Sequence, residues 1–528
     1  MLIFEKFHKK KKIFLSFILF FFSILFNQYY GYIGILPIDS FLVFNSGYDF
    51  LNGKLPFIDY WTIKEPLLDA IQAIFFKIFG VSWFSYVLHA SAINALISIF
   101  TFHTLYKLKL NINYCFIYSI LVSTIAYTSA GTPYVDHHSS ILSMISIFCF
   151  ILALKTNLKV YWFLLPIFLV TAFLTKQAPA GHFILIVTFL TSIYFIFNFD
   201  IKKIMSAIFG LITILLIFLI TLLISKISIV SFLEQYIFFP LSIGKSRLEL
   251  FLFPLDFSRI FLRYKLIHLS TLILIIVSIK NILRDRKYLL NSEFLITLSL
   301  IGASYALIAH QLMTVNGIFI FFIIPILIGF SHIYYKNHFQ NKKYIFNLML
   351  LFAFLSTAHY GHKYIHKRDF MDLSNAKRSD FISAEIISNK LNGLRWISCL
   401  YPENPKKEIT QLQEAINIIK DDKRNKSIIT DYQFISVILS NYDFSPTQVW
   451  FINHVSSYDK GSDYFKQYKN LLIKKFQNNK IKVAYVVKPL WGGDNVFENS
   501  INKNCFQKTE VTKILDSYLF QECNDLKY

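Results

Sequence analysis

The sequence predicts a polytopic α-helical membrane protein with about eleven transmembrane helices, followed by a small C-terminal α/β domain. Hydrophobic residues make up 55% of the chain and charged residues only 16%, whereas soluble domains are about a quarter charged. Apolar runs of about 20 residues, each long enough to cross a bilayer, recur as far as about residue 358. We therefore expect a membrane domain at residues 1–360 and an α/β domain that folds in water at residues 361–528.

The first span is predicted at Ile13–Phe26, directly after a run of lysines at Lys9–Lys12. This arrangement is also typical of a signal peptide, but no small-residue cleavage site follows it. We therefore expect a retained helix with its N-terminus in the cytoplasm. The polar loop that follows, residues 32–82, would then face outward and contain two surface helices, Asn45–Leu51 and Pro66–Phe79.

The further spans follow from hydropathy, and their loops indicate a consistent orientation. The predicted spans are residues 83–106, 112–130, 139–154, 159–175, 182–199, 204–225, 263–282, 291–311, 316–335 and 343–358. Each loop assigned to the cytoplasm carries lysines at or near its ends, whereas the outer loops are mostly short and poor in bases. The exception is the outer loop 226–262, which is too long for its bases to affect the orientation. An odd number of helices places the C-terminal domain outside.

The tail alternates between strand-like and helix-like runs. Strands are predicted at Ser427–Ile429 and Ile481–Val487, and helices at Asp463–Phe476 and Thr512–Phe520. Of the five cysteines, two lie in predicted spans and none shows CxxC spacing. The other three, Cys399, Cys505 and Cys523, allow at most one disulfide.

The net charge of +21 does not indicate a nucleic-acid partner. The bases cluster at the ends of predicted helices, as cytoplasmic anchors do, and do not interleave with a nucleic-acid-binding fold. The chain also lacks a P-loop, a GxGxxG turn, a GxSxG elbow and a helical zinc motif, so no nucleotide cofactor is indicated. Charged residues are nearly absent from the middle of the spans, which argues against an ion-coupled relay.

Two outer-face carboxylates are the main candidates for chemistry. Asp39 follows the first span, and Asp136 lies in the loop before the fourth span. A carboxylate at membrane depth is costly unless it faces a water-filled cavity or a partner. Either acid can serve as a general base or orient a substrate, but either can also simply cap a helix.

Other polar residues on the outer face are candidates for substrate binding. His137 follows Asp136 directly, but a metal site would need a third ligand at fixed spacing. Lys176 and Gln177 follow the fifth span, where the lysine can pair with a phosphate or with Asp136. The remaining candidates are Asp59, Lys64, Lys245 and Arg247. The three cations among them can instead contact lipid headgroups.

The first outer loop resembles that of the GT-C superfamily of membrane glycosyltransferases. Within it, the similar branch contains the protein O-mannosyltransferases, the aminoarabinose transferases and the RgtA/B/C/D-like proteins. The matching residues are Asp39, the segment Phe50–Asp59, Lys64–Leu67 and Phe79–Gly80. The chain departs from the family pattern at Asp39-Ser40, where the family usually has Asp-Glu, and at Glu65-Pro66 in place of a double proline. The resemblance extends over about residues 1–360 and is weak in the tail.

The resemblance implies an inverting transfer of a sugar from a polyprenyl-phosphate donor to an acceptor on the non-cytoplasmic face. The acceptor would be a glycolipid, lipopolysaccharide, another glycan or a protein, and the enzyme would lie in the inner membrane of a bacterium with its site and tail in the periplasm. By position in the motif, Asp39 would be the base, Asp136 would position a substrate and Lys176 would neutralise the leaving phosphate. No required metal is implied, although a divalent cation is compatible with the family.

The alternative function is a flippase or transporter of lipid-linked glycans. Such a protein would be expected to carry charges along a path through the middle of the bundle. The acids of this chain lie in outer loops instead, which favours the transferase.

Overall fold

The computed structural model describes residues 2–63, 66–244, 256–314, 316–339, 343–440, 443–444, 464–491, 497 and 500–523. The chain forms two compact units. The helical unit comprises Met1–Gly31, Val87–Ile220 and Leu250–Asp369, and the mixed unit comprises Tyr32–Tyr86, Thr221–Glu249 and Phe370–Tyr528. The first outer loop therefore folds with the tail, although the loop segment ends at Tyr86 and the tail segment begins only at Phe370.

The α-helices of the described residues follow the predicted spans closely. In chain order they are α1 Leu2–Gly31, α2 Pro37–Ser40, α3 Leu42–Leu51, α4 Pro66–Phe79, α5 Trp83–Lys107, α6 Ile112–Ile125, α7 Val135–Thr156, α8 Lys159–Thr175, α9 Gln177–Phe197, α10 Ile201–Ile224, α11 Ile229–Phe232, α12 Lys265–Arg284, α13 Ser292–Thr314, α14 Ile323–His338, α15 Lys343–Gly361, α16 Pro405–Asp421, α17 Phe434–Leu439 and α18 Phe465–Asn478.

Eight helices in the described part of the chain are long and apolar enough to cross a membrane, so the chain is a polytopic helical membrane protein. They are Lys10–Gly31, Trp83–Lys107, Val135–Thr156, Gln177–Phe197, Ile201–Ile224, Lys265–Arg284, Ser292–Thr314 and Lys343–Met371. The other three predicted spans coincide with shorter helices, α6, α8 and α14, of 14, 17 and 16 residues. Residues 316–322, predicted as the start of a span, precede α14 as coil and turns.

Helix α7 is the most buried of the eight, with 83% of its apolar window inside the structure. Its inner face includes Ser139, Ser143 and Ser146, and small side chains of this kind let neighbouring helices approach closely. The turn before α7 also approaches α1, because a Cβ built on Gly131 would lie 2.8 Å from the Cα of Gly31. Gly131 also has a positive φ of 77°, a conformation that favours glycine.

The mixed unit contains two β-sheets. The strands are β1 Ile33–Ile35, β2 Ile382–Ser383, β3 Arg395–Ser398, β4 Lys426–Thr430, β5 Asp443–Phe444, β6 Val483–Val487, β7 Phe506–Thr512 and β8 Leu515–Phe520. The larger sheet has the order β5-β4-β6-β8-β7, with β5, β4 and β6 parallel and β8 and β7 antiparallel. In the smaller sheet β3 lies between β1 and β2 and is parallel to β1.

The prediction of a helix at Thr512–Phe520 is wrong, because Leu515–Phe520 forms strand β8. The strand pairs with β6 and β7 and buries Leu515, Tyr518 and Phe520 against the sheet core. A disulfide between Cys505 and Cys523 joins the two ends of the β7–β8 hairpin. The sequence allows at most one disulfide among the three cysteines outside the predicted spans, and this is one. The predicted helix at Asp463–Phe476 is observed as α18, and both predicted strands are present as β4 and β6.

Candidate functional site

A buried ion pair lies at the start of α7. Asp136 is the second residue of this helix, and the Nζ atom of Lys176 donates hydrogen bonds of 2.8 Å to both of its carboxylate oxygens. Lys176 lies in extended backbone between α8 and α9, where the hydroxyl of Ser139 donates to its carbonyl oxygen. The Asp136 side chain is 1% exposed and that of Lys176 is 16% exposed. Of the two partners that the sequence allows for Lys176, the structure shows Asp136.

His310 adds a third group to this pair from α13. Its Nε2 atom lies 3.1 Å from Oδ1 of Asp136, and both side chains are buried. The neighbouring Gln311 accepts hydrogen bonds at Oε1 from the backbone amides of Ile318 and Phe319, so its Nε2 amide group is the one that faces His310 Nδ1, at 3.1 Å. Nδ1 of His310 is then an acceptor, and the ring proton is assigned to Nε2, which faces Asp136.

We name Asp136, Lys176 and His310 the Asp136 group. All three belong to the helical unit, and they come from three separate parts of the chain. Asp136 has a cation on one side and an imidazole N–H on the other, so it serves better to hold those donors than to accept a substrate proton. The ammonium group of Lys176 can also serve as a donor to an anionic ligand.

The two histidines after Asp136 point in different directions. The ring of His137 stacks on Tyr127 with centroids 4.4 Å apart and meets Phe319 edge-on at 4.8 Å. His138 contacts the hydroxyl of Tyr127 at 2.5 Å and His89 at 3.0 Å between Nε2 atoms. No group of three His, Cys, Asp or Glu side chains in the described ranges could hold a metal ion.

Arg368 supports the loop before α7 and was not singled out from the sequence. Although its side chain is 2% exposed, its guanidinium donates to the carbonyl oxygens of Thr128, Ala130 and Tyr364. The loop is thereby fixed a few residues before Asp136. A lone arginine in a basic segment gives no sequence signal for this role, whereas His310 and Gln311 form a polar pair at the end of the predicted span 291–311.

Asp39 lies on the four-residue helix α2 of the mixed unit, directly after β1. Its side chain is half-buried. The turn is fixed at Ser40, whose hydroxyl accepts from the amide of Leu36 and whose carbonyl accepts from Tyr86. The next residue, Phe41, packs against the tail, with its ring 4.7 Å from that of Phe434.

Asp59 makes contacts that explain its place in the first loop. Its Oδ2 atom accepts a hydrogen bond of 2.8 Å from the amide of Leu55, and its Oδ1 atom accepts one of 2.6 Å from Lys475 on α18.

Gln177, half-buried, begins α9 beside Lys176. Lys64, Lys245 and Arg247 lie outside the described residues.

The candidate residues thus fall into two places. Asp39 and Asp59 lie in the mixed unit, and the Asp136 group lies in the helical unit. No protein-family model matches the chain, and no curated protein matches it. The buried Asp136 group and the turn that holds Asp39 are therefore the two places from which a function can be inferred.

Proposed function

We propose that the chain is a membrane glycosyltransferase of the GT-C type, which moves a sugar from a polyprenyl-phosphate donor to an acceptor with inversion at the anomeric carbon. The observation that carries this proposal is the Asp136 group, a lysine held by a buried carboxylate in a chain whose described residues include eight membrane-length helices. A fixed cation of this kind stabilises a phosphate that gains negative charge in the transition state. The first-loop resemblance supports the same reaction.

In the proposed reaction Asp39 is the general base. Its carboxylate removes a proton from an acceptor hydroxyl or amine, and the acceptor atom attacks the anomeric carbon. The bond from that carbon to the phosphate oxygen breaks, and the polyprenyl phosphate leaves with the electron pair. The half-buried position of Asp39 fits this task, because the carboxylate must meet a substrate and yet be held in place.

Lys176 is the proposed partner of the leaving phosphate. Asp136 orients the ammonium group through two hydrogen bonds, and His310 lies against Asp136 on its other side. The cation is therefore in position before the donor arrives, so no reorganisation is required when charge develops. Asp136 acts through Lys176 in this scheme. The reaction uses no nucleotide sugar, and the proposed site faces the periplasm of a bacterial inner membrane.

The test is mass spectrometry of glycolipids and polyprenyl-phosphate sugars from a deletion strain complemented with wild type, D39N or D421N. Asp421 is an exposed acid at the end of α16, so D421N controls for an Asp-to-Asn change that leaves the site intact. We expect one glycoconjugate to lose a sugar and its donor to accumulate in the deletion strain. Wild type and D421N should restore transfer, and D39N should not.

Two results would contradict this function. Full restoration by D39N would remove Asp39 as the base. Accumulation of a complete lipid-linked glycan on the cytoplasmic side would instead favour the flippase.

A further inference from the structure

Asp431 lies at the carboxyl end of the central parallel strand of the larger sheet. It directly follows β4, which has the parallel strands β5 and β6 on either side. In open α/β sheets this edge is where ligands bind, because the loops that leave the strands diverge there. The Asp431 side chain is only 2% exposed, so its carboxyl group is not a surface charge.

The loop after the neighbouring strand β6 fixes this carboxyl group. The backbone amide of Trp491 donates a hydrogen bond of 2.7 Å to Oδ2 of Asp431. One oxygen is thus held by the main chain, which sets the direction of the other. The sheet therefore presents the Asp431 carboxyl group in one orientation.

The Asp39 turn packs at the same place in the mixed unit. Phe41, two residues after Asp39, has its ring 4.7 Å from Phe434, three residues after Asp431. The ring of Phe41 also stacks on Trp396 of β3, with centroids 6.0 Å apart. Burial and the negative charge of Asp39 together raise the pKa of Asp431 to about 7.

We infer that Asp431 is a second carboxyl group of the Asp39 site, contributed by the C-terminal domain, and that it holds a proton beside Asp39 and positions the base. This inference rests on the proposed function. Two carboxyl groups in one site do not both ionise readily, so in this proposal one proton is shared between them. The more exposed Asp39 carries the charge, and the buried Asp431 donates a hydrogen bond to it. Asp431 is therefore a positioning residue.

A double-mutant cycle of stability against pH tests the pairing without using activity. Among the described residues, Asp39 is the charged group that acts on Asp431. Because the folded-state pKa of Asp431 is raised to about 7, the wild-type chain should lose stability as pH rises from about 4, the pKa of Asp in an unfolded chain, to about 7. D431N should abolish the part of this loss that Asp431 causes. D39N should abolish part of the same loss. The effects of D39N and D431N on the pH dependence of stability should therefore not add.

Glu408 provides the matched control. It is 1% exposed in the same unit, and its carboxylate accepts hydrogen bonds from Trp396, Ser398 and Tyr432. Burial raises the pKa of Glu408 as well, so E408Q also changes the pH dependence of stability. The effects of E408Q and D39N should add. If the effects of D431N and D39N on the pH dependence of stability also add, the pairing is overturned. If D431N does not accumulate in cells, D39N alone still tests the pairing. A pH dependence of stability equal to that of wild type in D39N would overturn the pairing.

The role in catalysis is tested by the pH profile of sugar transfer in membrane vesicles. Wild-type transfer should fall above about pH 7 as Asp431 loses its proton. The side-chain amide introduced by D431N donates a hydrogen bond at every pH, so this fall in transfer should disappear. D431L has no donor and should lower kcat about tenfold at all pH values. A wild-type pH profile in D431N would overturn the positioning role. Failure of the proposed function is distinguishable, because D39N would then keep full transfer while the stability cycle still reports the pairing.

Discussion

Lys176 donates to both carboxylate oxygens of Asp136, at 2.8 Å each, in a place that is almost closed to water. Removing one partner of such a pair leaves an uncompensated buried charge and costs about 3–5 kcal/mol. A ligand that draws Lys176 away must therefore offer it an acceptor of comparable strength, as a phosphate does. The pair thus favours an anionic ligand over a neutral one.

Replacing Lys176 by Ala should lower the free energy of unfolding by about 3–5 kcal/mol, because it strands the Asp136 carboxylate. The variant D136N/K176M removes both charges, so it should recover most of that stability but remain inactive in sugar transfer. Thermal unfolding and a vesicle transfer assay measure the two effects. K203A, which breaks a longer ion pair with Asp200 at 3.7 Å, should cost about 1 kcal/mol or less. Transfer by the double variant would exclude Lys176 from the site.

Replacing His310 by Phe should cost about 1–3 kcal/mol and reduce transfer, because it removes the N–H that faces Asp136 while keeping a ring. H310Q supplies an amide donor and should regain part of the activity. His332 is a buried histidine of α14 that contacts Tyr118, and H332F serves as the control. Equal losses of transfer in H310F and H332F would show that only the packing of a ring matters.

Asp59 and Lys475 should act as one unit. Their contact of 2.6 Å joins the first loop to α18, and both side chains are partly exposed. If Asp59 only holds this contact, D59N, K475M and the double variant should reduce transfer equally. A further loss confined to D59N, with a higher KM for the donor, would instead support a direct role in substrate binding.

Replacing Arg368 by Lys should loosen the loop that precedes α7. A lysine keeps the positive charge but lacks the planar fork that reaches the carbonyls of Thr128 and Ala130. We expect faster hydrogen exchange at residues 128–134 and a loss of about 1–3 kcal/mol. Exchange rates equal to those of wild type in this loop would show that the arginine does not hold it.

The apolar helices were predictable because the bilayer requires long apolar runs, and each such run is local in sequence. The long helices α5 and α10 lie within a few residues of the predicted limits. The stretch 512–520 was not predictable in the same way. Its apolar residues are compatible with a helix, and only pairing with β6 and β7 fixes it as a strand.

The candidate site was predictable only in its parts. Asp39, Asp136 and Lys176 are identifiable because each is polar next to an apolar run. The contact between Asp136 and His310 joins residues 174 positions apart, and no local pattern indicates it. Asp431 is likewise one of many acids in a polar tail until the sheet places it beside Trp491.

The parallel pairing of β1 with β3 has a consequence for biosynthesis. The eight membrane-length helices of the described residues end by Met371, and β1 is made soon after the first of them. Its partner, Arg395–Ser398, leaves the ribosome much later. A chain terminated between these points contains these eight helices but lacks the strand that pairs with β1 beside the Asp39 turn. The proposed sugar transfer therefore waits for residues that are made after the last of these helices.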